Sequence, residues 1–328
     1  MRDHTKHPAL PRRSRTKGPA ALLALLVLTT TGVSTAQAAE APATAPAHTF
    51  AAAVPPATHG GQVADTIGQL EADHHVRIGA FALDTATGRT LSYRGDERFP
   101  ALSTFKAMVC AAVLDRARHV EPGLMDKVVH WTKADEVDNS PLTEGRGEQG
   151  MTVAGLCHAA ITRSDNTAGN LLLRQIDGPD GLTRYYRSLR DPFSRLDRWE
   201  PELNRWEPGE RRDTTTPSAM GRDLARVSLT RALVPEDRAQ LTSWLRATTT
   251  GDARIRAGLP EDWTVGDKTG TSDSYGSAND IAIAWPPSGH PVIIAIYTNH
   301  TAPVAATDEA VIKSTTTALV RGLGVPSA

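Results

Sequence analysis

The absences in this 328-residue chain narrow its chemistry first. Two cysteines, Cys110 and Cys157, permit at most one internal disulfide. None of the eleven histidines stands in an H-x-H pair, so the usual ligand cluster of a zinc hydrolase is missing. The G-x-G-x-x-G string at Gly145–Gly150 follows the polar stretch "VDNSPLTE" instead of a strand, and there is no P-loop, so neither a dinucleotide nor a nucleoside triphosphate is implied. No metal and no other cofactor is therefore expected. The longest apolar run, Ala20–Leu28, is far short of the ~20 residues that span a bilayer. Beyond the first 17 residues no basic block occurs, and the formal net charge is −1, which argues against nucleic acid or an anionic membrane as partner.

What is present begins with a targeting segment. Arg2, Lys6, Arg12, Arg13, Arg15 and Lys17 precede the apolar run, and Ala36-Gln37-Ala38 follows it as an A-x-A cleavage site. Residues 1–38 read as a secretory signal peptide, and the adjacent Arg12-Arg13 leaves the twin-arginine route open beside the general one. A membrane anchor is the alternative that the short run opposes. Cleavage removes six basic residues and one acidic residue, so 30 basic and 36 acidic side chains remain, a net −6. Residues 39–60, rich in Ala and Pro without periodicity, read as a disordered leader.

The remainder reads as an α/β chain of the α+β kind. A helix is expected over Gln62–His75, then the strands "RIGAFALD" and "RTLSYRG" joined by the hairpin signal "TATG". From Ser103 to about Arg246 the pattern is helical, with Pro217 and Pro235 at helix first positions. Three further strands, "WTVGD", "DIAIAW" and "PVIIAIYTN", precede a last helix, Thr307–Leu323. An antiparallel sheet flanked by helices, from 61–102 and 247–328, would then carry an inserted all-helical lobe, 103–246, with a cleft between them.

Chemistry enters at "PALSTFKAMVC". Phe105, Met108, Val109, Ala112 and Val113 recur at helical spacing, so the helix is buried, yet Ser103 and Lys106 share one face of it a turn apart. A lysine there is either paired structurally or activates the serine. Two further motifs favour the second reading: Ser164-Asp165-Asn166 in the helical region and Lys268-Thr269-Gly270 at the end of a strand. S-x-x-K, S-D-N and K-T-G in this order are the signature of class A β-lactamases and penicillin-binding proteins. From about Gln62 onward the chain resembles a secreted class A serine β-lactamase of the actinomycete type.

The resemblance implies roles. Ser103 is the nucleophile and Lys106 its base, provided burial and cations such as Lys268 lower its pKa. Ser164 passes the proton to the leaving nitrogen. Asn166 holds the substrate's amide, and Lys268, Thr269, Gly270 and Thr271 meet its carboxylate. The backbone N–H groups of Ser103 and Thr271 form the oxyanion hole, each donor typically worth ~3–4 kcal/mol. In "RLDRWEPELN", Glu200 and Asn204 match the pair that positions a hydrolytic water, with Glu202 the competing acid. Trp199, Leu203 and Trp206 are expected to pack this segment, Arg198 and Asp213 to close it as an Ω-loop (198–213), and Asn170 to brace it. Arg254, with Arg256 its rival, matches the cation of a family subset that lacks an arginine at the position of Ala278. Trp131 matches the aromatic at the cleft mouth, a buried structural tryptophan being the other reading. Cys110 and Cys157 match a disulfide of some members. The substrate is then a small β-lactam, and the exported chain a monomer free of the membrane. A D-alanyl-D-alanine transpeptidase or carboxypeptidase, or a β-lactam sensor, are the alternatives. Both lack the Glu and Asn pair, and the sensor needs membrane helices.

Overall fold

The computed structural model describes residues 59–325. The expected signal peptide and nearly all of the expected leader lie outside the described residues. Helix α1 (His59–His74) begins two residues inside the stretch read as leader. His74 Nδ1 lies 2.7 Å from Asp308 Oδ2, so this histidine is partnered.

Strand β1 (Val76–Asp84) turns through 85–89 into β2 (Thr90–Tyr93). A two-residue strand, β3 (Phe99–Pro100), leads through the 3-10 turn Leu102–Thr104 into α2 (Phe105–His119). Two short strands, β4 (Val128–Val129) and β5 (Met151–Thr152), pair with each other ahead of α3 (Val153–Thr162), α4 (Asn166–Arg174) and α5 (Gly178–Ser188). Strand β6 (Thr214–Thr215) pairs with β3, and α6 (Pro217–Leu229) and α7 (Pro235–Arg246) follow. Both of these helices carry proline at the first position, where its missing N–H costs nothing. Strands β7 (Thr264–Ser272), β8 (Ser277–Trp285) and β9 (Val292–His300) precede α8 (Glu309–Leu323). The sheet is antiparallel in the order β2-β1-β9-β8-β7. The α/β class and the antiparallel sheet flanked by helices are as expected. The helical region holds one small ribbon, β4 with β5, and one strand, β6, of another, none of which its periodicity announced, because strands of two residues leave no alternation to read.

The strands "DIAIAW" and "PVIIAIYTN" are apolar without alternation because both faces of the sheet are covered. Ile281, Ile283, Ile293 and Ala295 pack toward α2 and the helices beyond it. Ala282, Ala284, Ile294 and Ile296 pack toward α1 and α8, against Ile67, Ile312 and Leu319. At ~25 cal/mol per Å² of apolar surface, each buried isoleucine or leucine contributes roughly 1.5–3 kcal/mol.

Cys110 and Cys157 are buried neighbours on α2 and α3, with Cys110 Sγ 3.8 Å from the Cys157 carbonyl oxygen. They are free thiols here, not the expected disulfide. Burial first, and then the neighbouring Cys157, push the Cys110 thiol well above its usual range.

Candidate active site

The 3-10 turn places Ser103 against β7. A Cβ added to Gly270 would lie 2.9 Å from Leu102 Cβ and 3.3 Å from Ser103 N, so only glycine lets the strand approach the nucleophile so closely. Leu102 holds φ at 48°, a left-handed conformation disfavoured for a γ-branched side chain and sustained by its full burial.

Lys106 sits one turn on and is fully buried. Its Nζ donates to Ser103 Oγ at 2.9 Å, to the Ser164 carbonyl at 2.8 Å and to Asn166 Oδ1 at 2.5 Å, and it lies 3.0 Å from Glu200 Oε1. Gly169 on α4 makes room for that side chain, since a Cβ there would be 3.0 Å from Lys106 Cε. Ser103 Oγ is itself 3.5 Å from Glu200 Oε1, so a cation and a carboxylate both face the hydroxyl.

Glu200 is 2% exposed, whereas Glu202 is on the surface; burial and direction select the first. Asn204 Nδ2 donates to Glu200 Oε2 at 2.6 Å, and Asn204 Oδ1 has no partner in the protein. Asn170 grips the Glu200 peptide from both sides, donating to its carbonyl and accepting from its N–H, each at 2.9 Å. The segment is closed by Arg198 Nε donating to Asp213 Oδ2 at 2.5 Å, while Asp213 Oδ1 accepts from the N–H groups of Asp197 and Arg198. Leu203 and Trp206 are buried as expected of a packed loop, but Trp199 is 38% exposed and rests beside Gly178.

The S-D-N motif divides its labour. Ser164 Oγ accepts from Lys268 Nζ at 3.1 Å. Asn166 faces Lys106. Asp165 is fully buried and caps α4, accepting from Ala168 N at 2.8 Å, from the N–H groups of Leu142 and Thr143, and from the Thr143 hydroxyl. It ties the loop before β5 to the site, a role that reading the motif for its chemistry alone overlooked.

The K-T-G motif lies inside β7 and does not end it, because the ladder with β8 continues to Ser272. Lys268 is fully buried, and burial, with the Lys106 charge next, pulls its pKa down to about 7. Thr269 Oγ1 is 2.7 Å from Thr250 Oγ1. Arg254, 3% exposed, stands behind the strand: it donates to Gly270 O, Asn279 O, Thr271 Oγ1 at 2.8 Å and Glu309 Oε1. It reaches the site through Thr271 and does not line the cavity. Arg256 pairs with Asp267 and Asp252.

These walls enclose a cavity of about 540 Å³ bordered by Ser103, Ser164, Asn166, Asn204, Thr269 and Thr271, a size that suits a small ligand. Trp131 does not border it. It is 6% exposed, packed over Gly147, so the buried reading applies, whereas the exposed Asn139 does border the cavity. The "DNSP" turn was the available signal: Asn139 adopts φ 58°, as asparagine in such turns often does. No cluster of three or more metal-ligating side chains occurs among the described residues.

A serine hydroxyl between a buried lysine and a buried carboxylate, with a second buried lysine bonded to Ser164, is the equipment of a serine acyl-transfer hydrolase. The comparisons with known proteins give the class its family. The family model for the beta-lactamase enzyme family matches residues 62–323. Beta-lactamase AST-1 of Nocardia asteroides is 46% identical over 318 residues, 96% of this chain and 99% of that protein. The crystal structure of a β-lactamase from Streptosporangium roseum superposes with a TM-score of 0.80 at 58% identity, covering 80% of this chain and 99% of that one. An ancestral class A β-lactamase of Gram-negative bacteria gives a TM-score of 0.76 at 49% identity, covering 80% and 99%. This chain belongs to the β-lactamase enzyme family, within class A, and is a serine β-lactamase.

Proposed function

We propose that the chain opens β-lactams in two steps divided between Ser103 and Glu200. Ser103 Oγ gives its proton to Lys106 Nζ as it attacks the lactam carbonyl, the C–N bond breaks, Ser164 hands its own proton to the departing nitrogen and is resupplied with the one Lys106 took, and an ester on Ser103 remains. Glu200 then takes a proton from a water held with Asn204, and that water cleaves the ester. The observation that carries this reading is the buried Glu200 carboxylate within reach of Ser103, bonded to Asn204 and locked by Asn170. Lys268, Thr269 and Thr271 meet the ring carboxylate, with Arg254 orienting Thr271. Asn166 meets the side-chain amide, and the N–H groups of Ser103 and Thr271 receive the oxyanion. The cleft lies between the sheet lobe and the helical lobe 103–246.

Glu200→Gln tests the division. Glutamine keeps the size but cannot accept the proton, so the variant should trap benzylpenicillin on Ser103 as a stable mass increase of one intact drug. Turnover should fall by at least roughly 10²–10⁴. Wild-type rates in Glu200→Gln, or trapping by Glu202→Gln instead, would remove Glu200 from this role.

Three further readings complete the proposal. The chain is exported through residues 1–38 and acts as a monomer outside the cytoplasm. No helix among the described residues is long and apolar enough to cross a membrane. Cys110 and Cys157 join when folding takes place in an oxidising compartment.

A further inference from the structure

We infer that Arg163 is a specificity-determining residue, one that favours β-lactams with a second negative charge on the ring side, where a cephalosporin carries its C3 substituent. The inference rests on the reading of the cleft given above. Arg163 is exposed and borders the cavity beside Ser164. Among the described residues its guanidinium has no ion pair and no side-chain hydrogen bond.

Its place in the cleft is fixed by its backbone. Arg163 ends α3, its N–H bonded to Ala159 O at 3.1 Å. The end of that helix is stitched to the segment before β7: Thr248 Oγ1 donates to Ile161 O at 2.9 Å, and the Thr249 N–H and hydroxyl both donate to Thr162 O at 3.2 Å. Thr250 follows and meets Thr269. Arg163 therefore stands at the Lys268 and Thr269 end of the cavity, where the ring carboxylate binds. At the other end, Ser272 Oγ donates to Asn204 O, beside Glu200.

The ring carboxylate already has buried Lys268, whereas Arg163 is at the rim. The group that meets Arg163 is thus one carried next to the ring carboxylate and further out, which on a cephalosporin is the C3 substituent. A solvent-exposed pair of this kind is worth up to ~1 kcal/mol, or about three- to fivefold in kcat/KM.

The test uses three cephalosporins with one acyl side chain and a C3 group that is cationic (pyridiniomethyl), neutral (acetoxymethyl) or anionic (succinyloxymethyl). Arg163→Gln should lower kcat/KM about three- to fivefold for the anionic compound and leave the neutral one within about twofold, so the anionic-to-cationic ratio falls. Arg163→Lys should keep the wild-type ratio. Arg190→Gln, which removes an exposed arginine that does not border this cavity, should keep it too. In the wild type, salt at about 0.5 M should pull the ratio toward that of Arg163→Gln. An equal loss on all three compounds, or an unchanged ratio, overturns the inference. If Arg163→Gln does not fold, a wild-type ratio insensitive to salt does the same. A wild-type enzyme that hydrolyses none of the three brings down the reading of the cleft itself.

Discussion

Lys268 shows how one residue's surroundings set a pH dependence. Burial, with the Lys106 charge behind it, lowers its pKa to about 7, so the free enzyme loses the cation proposed for the substrate carboxylate as pH rises through neutrality. The descending limb of kcat/KM, which reports the free enzyme, should therefore fall near that value. A bound carboxylate favours the charged lysine, so the corresponding limb in kcat should lie higher. Lys268→Arg, which stays charged throughout, should abolish the descending limb near neutrality while weakening binding overall. An unchanged limb in that variant would assign the titration elsewhere. At this scale the motifs were legible because catalysis demands residue types at set spacings. Trp131 stayed between two readings because the sequence shows that a tryptophan is present but not which way the chain after β4 turns it. Arg254 could be named from the sequence, but only the structure sets Thr271 between it and the cavity.

Helix α6 carries a carboxyl that the fold takes in protonated. Asp223 is fully buried; its Oδ1 accepts from Arg226 at 2.8 Å, and its Oδ2 finds no donor. Burial, and after it the Asp191 carboxylate, push its pKa up to about 9. An acid whose pKa is raised on folding stabilises fully below its unfolded value, near 3.9, and that contribution is lost as pH climbs toward the folded value. Asp223→Asn can donate to Asp191 at every pH. Thermal unfolding should then show it more stable than wild type by at least about 2 °C at pH 8.5, with the difference shrinking toward pH 4. A variant less stable at pH 8.5 would mean that the carboxylate form is the one that the packing requires. Nothing in "PSAMGRDLARVSL" signals this, since Asp223 and Arg226 at i and i+3 read as a surface pair. The helix itself was plain from Thr216-Pro217, a capping residue followed by a first-position proline, and Thr216 does accept from Ala219 N–H at 3.2 Å. Elements with such start signals and long apolar runs could be placed from sequence. The two-residue strands could not, because their pairing depends on distant segments.

For the molecule as a whole, the proposed export carries a consequence for its two thiols. Both are fully buried, and the Cys110 thiol is held in its protonated, unreactive form. A bond between them must therefore form before the core closes, during folding in an oxidising space. It would close a loop of 48 residues, for which chain entropy predicts about 4 kcal/mol before any strain is subtracted. Because burial alone protects the thiols from reagent, labelling has to be done on denatured protein without reductant. The exported enzyme should then take up no alkyl label, whereas the same chain made in a reducing cytoplasm should take up two. Protein recovered from the medium should also yield no peptide from upstream of Ala36. Two labels on the exported enzyme would exclude the bond. Upstream peptides in the medium would exclude cleavage after Ala38, and with it the secretory reading of the first 38 residues.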